Sequence, residues 1–252
     1  MMKSFLLALQ FLTIAPIRFK GVDEKEIARS MIYFPFVGLL IGLALAGINS
    51  LLIFLGLERL SIDIILVISL VCITLGMHLD GLSDTFDALS SRKDKDQMLR
   101  IMRDPHIGVM GALGVIGIIL IKISLLYSLS GALKPFALIL MCIISRWSMV
   151  FAIFLFPYAR TEGKAKVFFE GINPAVFVFS TAITLVLAFF LGMIKAFALL
   201  FAAAAGAYII ARSVNKKLNG ITGDTLGAIN EITEVIVLLG AYILERIGTW
   251  II

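Results

Sequence analysis

Charge is scarce in this sequence. Charged residues make up 15% of the 252 and hydrophobic ones 60%, where a soluble domain averages about 25% and 45–50%. A single soluble core of this length could not bury so much apolar surface. Cysteine is scarce too. Cys72 and Cys142 both lie inside apolar runs, so neither a disulfide framework nor a metal-ligand spacing is present. No basic, aromatic-interleaved module accompanies the net charge of +5, which excludes nucleic acid as a partner and leaves membrane topology to explain the excess.

What is abundant is the long apolar run. A membrane-spanning helix needs about 20 consecutive, mostly apolar residues. Without water the backbone must satisfy itself, so only helices and closed barrels can cross. Barrel strands alternate apolar and polar residues, and these runs do not. The sequence therefore predicts an all-α, polytopic integral membrane bundle, one domain over residues 1–252. Seven transmembrane helices are expected, at 33–56, 61–79, 107–130, 134–157, 174–194, 195–212 and 232–250. The break near Gly192 and Met193 is very short. Ahead of them, Lys3 to Phe19 holds only a short uncharged stretch and no small-residue cleavage site. It reads as an N-terminal interfacial or re-entrant helix rather than a signal peptide.

The cations cluster. Lys3, Arg18, Lys20, Lys25 and Arg29 precede the first span. Arg92, Lys93, Lys95, Arg100 and Arg103 lie in 80–106, Arg160, Lys164 and Lys166 in 158–173, and Arg212, Lys216 and Lys217 in 212–231. These are sixteen of the 22 Lys and Arg, and with seven spans all four segments fall on one side. The positive-inside rule makes that side cytoplasmic. Gly38 and Gly42 form a GxxxG, and Gly108, Gly111, Gly114 and Gly117 recur every third position; both patterns read as close helix packing. Asp104-Pro105 reads as an N-cap followed by proline at N1.

Asp80, Asp84 and Asp87 stand at i, i+4 and i+7, so a helix would align three carboxylates on one face. Their repulsion asks for a cation, and Mg²⁺ takes oxygen ligands and bridges carboxylates to phosphates. A solvated helix end is the competing reading. A second polar stretch begins at Asn219. Its Thr222-Gly223 turn could offer backbone N–H groups to a phosphate. Asp224 and Glu231, seven apart, share a face, and Glu234 is a weaker acidic candidate. Arg146, deep in the fourth expected span, is either a phosphate clamp or half of a structural pair. Lys122 has the same ambiguity. His78 is either a general base or an orienter, and His106 is a weaker candidate.

Four stretches resemble the cobalamin synthase (adenosylcobinamide-GDP ribazoletransferase) family: Phe34 to Gly42, His78 to Asp87, Met98 to Asp104 with Gly108, and Thr222 to Ala228 with Glu231. Tyr158 to Gly163 is similar to a fifth. The matches run in order over nearly the whole chain. The resemblance implies a multi-pass enzyme of the cytoplasmic (cell inner) membrane, working in cobalamin biosynthesis with its active site on the cytoplasmic side. It implies that adenosylcobinamide-GDP and α-ribazole, or its 5′-phosphate, react with Mg²⁺ to give adenosylcobalamin, or its 5′-phosphate, and GMP. Asp80, Asp84, Asp87 and Asp224 would be metal ligands, and Glu231 joins them as a candidate ligand by its shared helix face with Asp224. Arg100, Arg103, Arg146, Arg160, Thr222 and Gly223 would bind substrate. His78, Asp84 or Asp87 would handle the hydroxyl proton. The large corrinoid ring calls for an opening or a groove between subunits, which leaves room for a homo-oligomer in the bilayer.

Two other readings stand beside this one. The acidic trio is similar to the signature of CDP-alcohol phosphotransferases, which act on lipid headgroups, but the Ala-Arg of that signature is missing and the last acids lie far away at Asp224. A cation-coupled transporter would place acids near the midplane within paired repeats, and no repeat is visible.

Overall fold

The computed structural model describes residues 2–17, 19 and 21–248. It is helical, and among the described residues the only strand-like pairing is one isolated parallel bridge between Tyr158 and Ile221. A short apolar helix α1 (Met2–Leu12) opens the chain, followed by α2 (Glu24–Ser30), a 3₁₀ turn (Met31–Tyr33) and α3 (Phe34–Phe54). Next come α4 (Arg59–Ile73), α5 (Met77–Ser90), α6 (Lys95–Ile101), α7 (Val109–Ser128) and α8 (Lys134–Leu155). The chain closes with α9 (Lys166–Gly171), α10 (Pro174–Leu218) and α11 (Gly223–Arg246). Among the described residues six helices are long and apolar enough to cross a membrane, or seven if the bent pair α4 and α5 is one span. The protein is a multi-pass membrane bundle, as its composition predicts. Arg18 and Lys20, and the end of the last expected span beyond 248, lie outside the described residues.

Helix α8 is the axis of the bundle and is buried along most of its length. Helix α3 packs on it through the GxxxG. An ideal Cβ on Gly42 would stand 2.5 Å from Ile139 Cα, and one on Gly38 2.9 Å from Ile143 Cα. Only glycine permits this approach, and the gain is dispersion contact that lipid cannot supply.

The uncertain break near 192 resolves into a reversal. Helical hydrogen bonding runs through α10, yet Phe177 stacks on Phe154 at 4.3 Å while Tyr208 lies 5.7 Å from Phe156. Those two partners are neighbours on the chain. A straight helix would separate residues 177 and 208 by about 46 Å. The arms Pro174–Gly192 and Ile194–Leu218 therefore fold back as two spans.

This reversal returns the chain to the end from which it left. Lys3 pairs with Glu26 at 2.5 Å, and Phe11 packs on Phe168 at 4.8 Å. Arg103 donates to the Glu162 carbonyl at 3.5 Å, and Lys217 to the Leu89 carbonyl at 3.3 Å. The four cation-rich segments thus gather at one end of the bundle. The other end is held by a buried Lys134–Asp63 pair at 2.6 Å and by Arg59, which lies over the Tyr127 ring and donates to the Leu129 carbonyl.

One local expectation fails. Asp104-Pro105 does not cap α7; Asp104 instead accepts from the His106 backbone N–H at 3.0 Å, and its Oδ1 lies 2.6 Å from the His106 ring nitrogen Nδ1. The cap comes from Asp87, whose carboxylate accepts from Gly108 N and Gly111 N, each at 2.8 Å. Gly108 and Gly111 are small so that this carboxylate can reach the helix start, where free N–H groups and the macrodipole favour an anion. Their spacing alone reads as helix packing because the partner lies 21 residues away in sequence.

Candidate active site

The acidic helix begins at a corner. Leu75 (φ 54) and Gly76 (φ 65) are both left-handed, and the axes of α4 and α5 differ by 89°. Glycine takes that conformation freely, whereas Leu75 adopts it against a steric penalty. The expected span 61–79 therefore ends at Ile73, and His78, Asp80, Asp84 and Asp87 belong to a separate helix running across the end of the bundle.

Helix α11 meets α5 through two glycines. An ideal Cβ on Gly81 would stand 2.7 Å from the Asp224 carbonyl oxygen, and one on Gly227 2.9 Å from the His78 carbonyl oxygen. The crossing sets Asp224 against the face of α5 that carries Asp80 and Asp84. Asp84 is half-buried and within electrostatic reach of Asp80, Asp87, Asp224 and Arg160. Replacing Gly81 with alanine would push the start of α11 away, since a Cβ cannot occupy that distance from backbone. We expect Gly81→Ala to insert normally and to lose at least ~10-fold in turnover, the scale of a small misplacement of reacting groups. Wild-type rates in Gly81→Ala would show that the crossing does not position the acids.

The start of α11 is fixed by its own sequence. Thr222 and Thr225 form a reciprocal capping box, Thr222 Oγ1 accepting from Thr225 N at 3.2 Å and Thr225 Oγ1 from Thr222 N at 3.3 Å. Thr222 is fully buried, and its hydroxyl serves this cap. Ahead of it, Gly220 (φ 149) allows a backbone clip: Ile221 N donates to the Pro157 carbonyl at 2.9 Å and Ala159 N to the Ile221 carbonyl at 3.0 Å. The clip carries the 157–161 segment onto α11 and brings Arg160 to Asp224, Nη2 to Oδ2 at 2.6 Å.

Beside this ion pair a cleft of about 350 Å³ opens between α6 and the 159–161 segment. Arg100, Arg103 and Arg160 line it, as do Lys95, Asp96 and Leu99. Three of the expected phosphate-binding residues therefore share one cavity, joined to the acids through Arg160. Sequence reading missed Lys95, Asp96 and Leu99. Their signal was the helical spacing 95, 96, 99 and 100, one face of α6.

Other candidates are placed elsewhere. Glu231 and Glu234 face inward on α11 and both take the buried Lys122 of α7, Glu231 at 2.6 Å. Glu234 also takes the Arg146 guanidinium of α8 and the Asn230 amide, the latter at 3.1 Å. Glu231 and Arg146 thus belong to a buried ion network shared by three spans, away from the acidic face of α5. His78 is buried against Gly227 and lines a narrow apolar slot with Phe11, Phe34 and Phe168. Its ring does not share the face of Asp80 and Asp84. Asp87 is engaged as the cap of α7.

Among the described residues no three His, Cys, Asp or Glu side chains form a ready metal cage. The donor set of Asp80, Asp84 and Asp224 is all carboxylate, brought together by the Gly81 crossing. It suits Mg²⁺, which keeps several waters and is commonly held by one or two carboxylates together with substrate phosphates.

A helical bundle with carboxylates and a guanidinium-lined cleft at one end defines the class as a multi-pass membrane protein whose polar groups converge at that end. The family model described as Cobalamin-5-phosphate synthase matches residues 4–242. Relatives named adenosylcobinamide-GDP ribazoletransferase cover nearly the whole chain. The one from Desulforamulus reducens is 34% identical over 96% of this chain and 99% of its own. That from Thermodesulfovibrio yellowstonii is 36% identical over 95% of each, and that from Alkaliphilus oremlandii 34% identical over 98% and 99%. The chain belongs to the cobalamin-5-phosphate synthase family. No solved structure matches it.

Proposed function

We propose that this end of the bundle joins adenosylcobinamide-GDP to α-ribazole, or to its 5′-phosphate, with release of GMP. The observation that carries the reading is the Arg160–Asp224 pair, which ties a cleft of guanidinium groups to three carboxylates on two crossing helices. A ribose hydroxyl of the ribazole attacks the phosphorus nearest the corrinoid arm. The new O–P bond forms as the pyrophosphate P–O bond breaks, and GMP leaves with the bridging oxygen. Arg100, Arg103 and Arg160 hold the phosphates in line and neutralise charge as it spreads over their oxygens. Asp84, half-buried among the other carboxylates, accepts the hydroxyl proton. Mg²⁺, bound by Asp80, Asp84 and Asp224, would supply Lewis-acid polarisation of the phosphates.

The four cation-rich segments gathered at this end support a cytoplasmic orientation. The test is GMP release from purified protein given adenosylcobinamide-GDP, α-ribazole and Mg²⁺, with loss of release in a chelator. Inside-out vesicles should react with substrates added outside, and right-side-out vesicles should not. No GMP with any divalent metal would overturn the reading, and transfer from a CDP-alcohol instead would replace it with lipid headgroup synthesis.

A further inference from the structure

We propose that Asp96 reads the guanine base of the nucleotide-bearing substrate, in the cleft between α6 and the 159–161 segment. The inference rests on the function proposed above and deepens it. The cleft, at about 350 Å³, has room for a nucleotide. Its charged lining is cationic except at one position, Asp96. A carboxylate there opposes phosphate binding, so its presence in a phosphate cleft calls for a ligand group that donates. Guanine has such a group. Its N1–H and N2 amino group lie side by side on the Watson–Crick edge, and one carboxylate accepts from both. Adenine presents an acceptor at N1 and would be repelled.

The spacing fits this ligand. Asp96 stands in the first turn of α6 and Arg103 just past its C-cap Met102, so the two mark opposite ends of the cleft, roughly 10 Å apart at 1.5 Å of rise per helical residue. That is the reach of an extended guanosine diphosphate from base edge to phosphates. Leu99 and Arg100 lie between them, an apolar surface for the ribose and base and a cation for the inner phosphate. Arg160 fixes the direction, because it lines the cleft and also binds Asp224. The phosphates therefore lie toward the acids and the base toward Asp96. The Asp96 carboxylate is exposed and makes no hydrogen bond or ion pair among the described residues. The N-cap of α6 is Asp94, which accepts from Gln97 N at 2.9 Å, so Asp96, in the first turn, is not the cap and its carboxylate faces a ligand in the cleft.

The experiment compares adenosylcobinamide substrates carrying GDP, IDP, XDP and ADP on the full-length purified protein, reading kcat/KM from release of the nucleoside monophosphate. The wild type should prefer guanine over hypoxanthine, which lacks the amino group, and over xanthine, by 10- to 100-fold each, the scale of one bidentate base contact. Adenine should be poorer still. Asp96→Asn should reverse the order of guanine and xanthine, because an amide can donate to the xanthine 2-carbonyl while accepting from N1–H. A gain of xanthine activity cannot come from misfolding. The proposal is overturned if Asp96→Asn keeps the guanine preference, if it lowers all four substrates equally, as a merely structural role would, or if the wild type does not discriminate among the bases. Those results leave the proposed function standing. A wild type that releases no GMP overturns both.

Discussion

Asp84→Asn and Asp224→Asn should each cut turnover by roughly 10³-fold, the several kcal/mol that metal and charge contribute to phosphoryl transfer, while the protein still inserts and folds. The geometry makes these substitutions informative. An amide at 224 can still accept from Arg160, so the 2.6 Å contact and the clip behind it survive. What disappears is one unit of negative charge at the point where the acids meet. Asp84 lies among the other carboxylates and within reach of Arg160, so its amide relieves repulsion and should leave stability unchanged or slightly raised. Activity and stability thus move apart, which a structural role would not produce. The rate of GMP release and the thermal unfolding midpoint in detergent measure the two separately. Near wild-type turnover in both variants would remove these carboxylates from the chemistry.

Glu234→Ala should have the opposite signature, a loss of folded protein. Glu234 is fully buried and takes both Lys122 and Arg146. Its removal leaves Arg146 without an ionic partner at bilayer depth and should destabilise the bundle by about 3–5 kcal/mol. The sign of the rescue discriminates. Neutralising both partners, as in Glu234→Leu with Arg146→Met, should recover most of the loss, because a buried ion pair contributes little beyond the cost of desolvating it. Denaturant titration in mixed micelles reads both effects. If Glu234→Ala unfolds at the wild-type midpoint, the network does not hold the three spans together.

These two results bear on what the sequence could reveal. The apolar runs announced the bundle because lipid demands length, and the Asp80, Asp84 and Asp87 spacing announced a carboxylate face because a helix has only one period. Partnership was not legible. Asp224 and Glu231 are seven apart on one helix and read as a single acidic face. In the structure Asp224 meets Arg160 at the rim while Glu231 meets Lys122 in the core. About two turns of rise carry the chain from the water-exposed end into the bundle, and the sequence does not mark that depth. Arg146 was legible as costly but not as Glu234's partner, since the two lie 88 residues apart. Asp87 looked like a third ligand because its role as a cap depends on a helix start 21 residues on. The corner at Leu75 and Gly76 was hidden because the apolar pattern runs straight through it.

The buried network also sets an order of events during synthesis. Lys122 and Arg146 enter the bilayer with α7 and α8, whereas Glu231 and Glu234 are translated 88 to 112 residues later, on the last helix. At ~5–20 residues per second, both cations wait roughly 4–20 s for their counter-charges. During that interval the nascent chain carries two unpaired positive charges at membrane depth, a state for which the insertion machinery or a neighbouring headgroup must provide shelter. Lys134 does not face this delay, because Asp63 precedes it by 71 residues. The site closes only when α11 arrives, so a chain interrupted before Gly223 lacks both its Asp224 carboxylate and the acids that neutralise its interior.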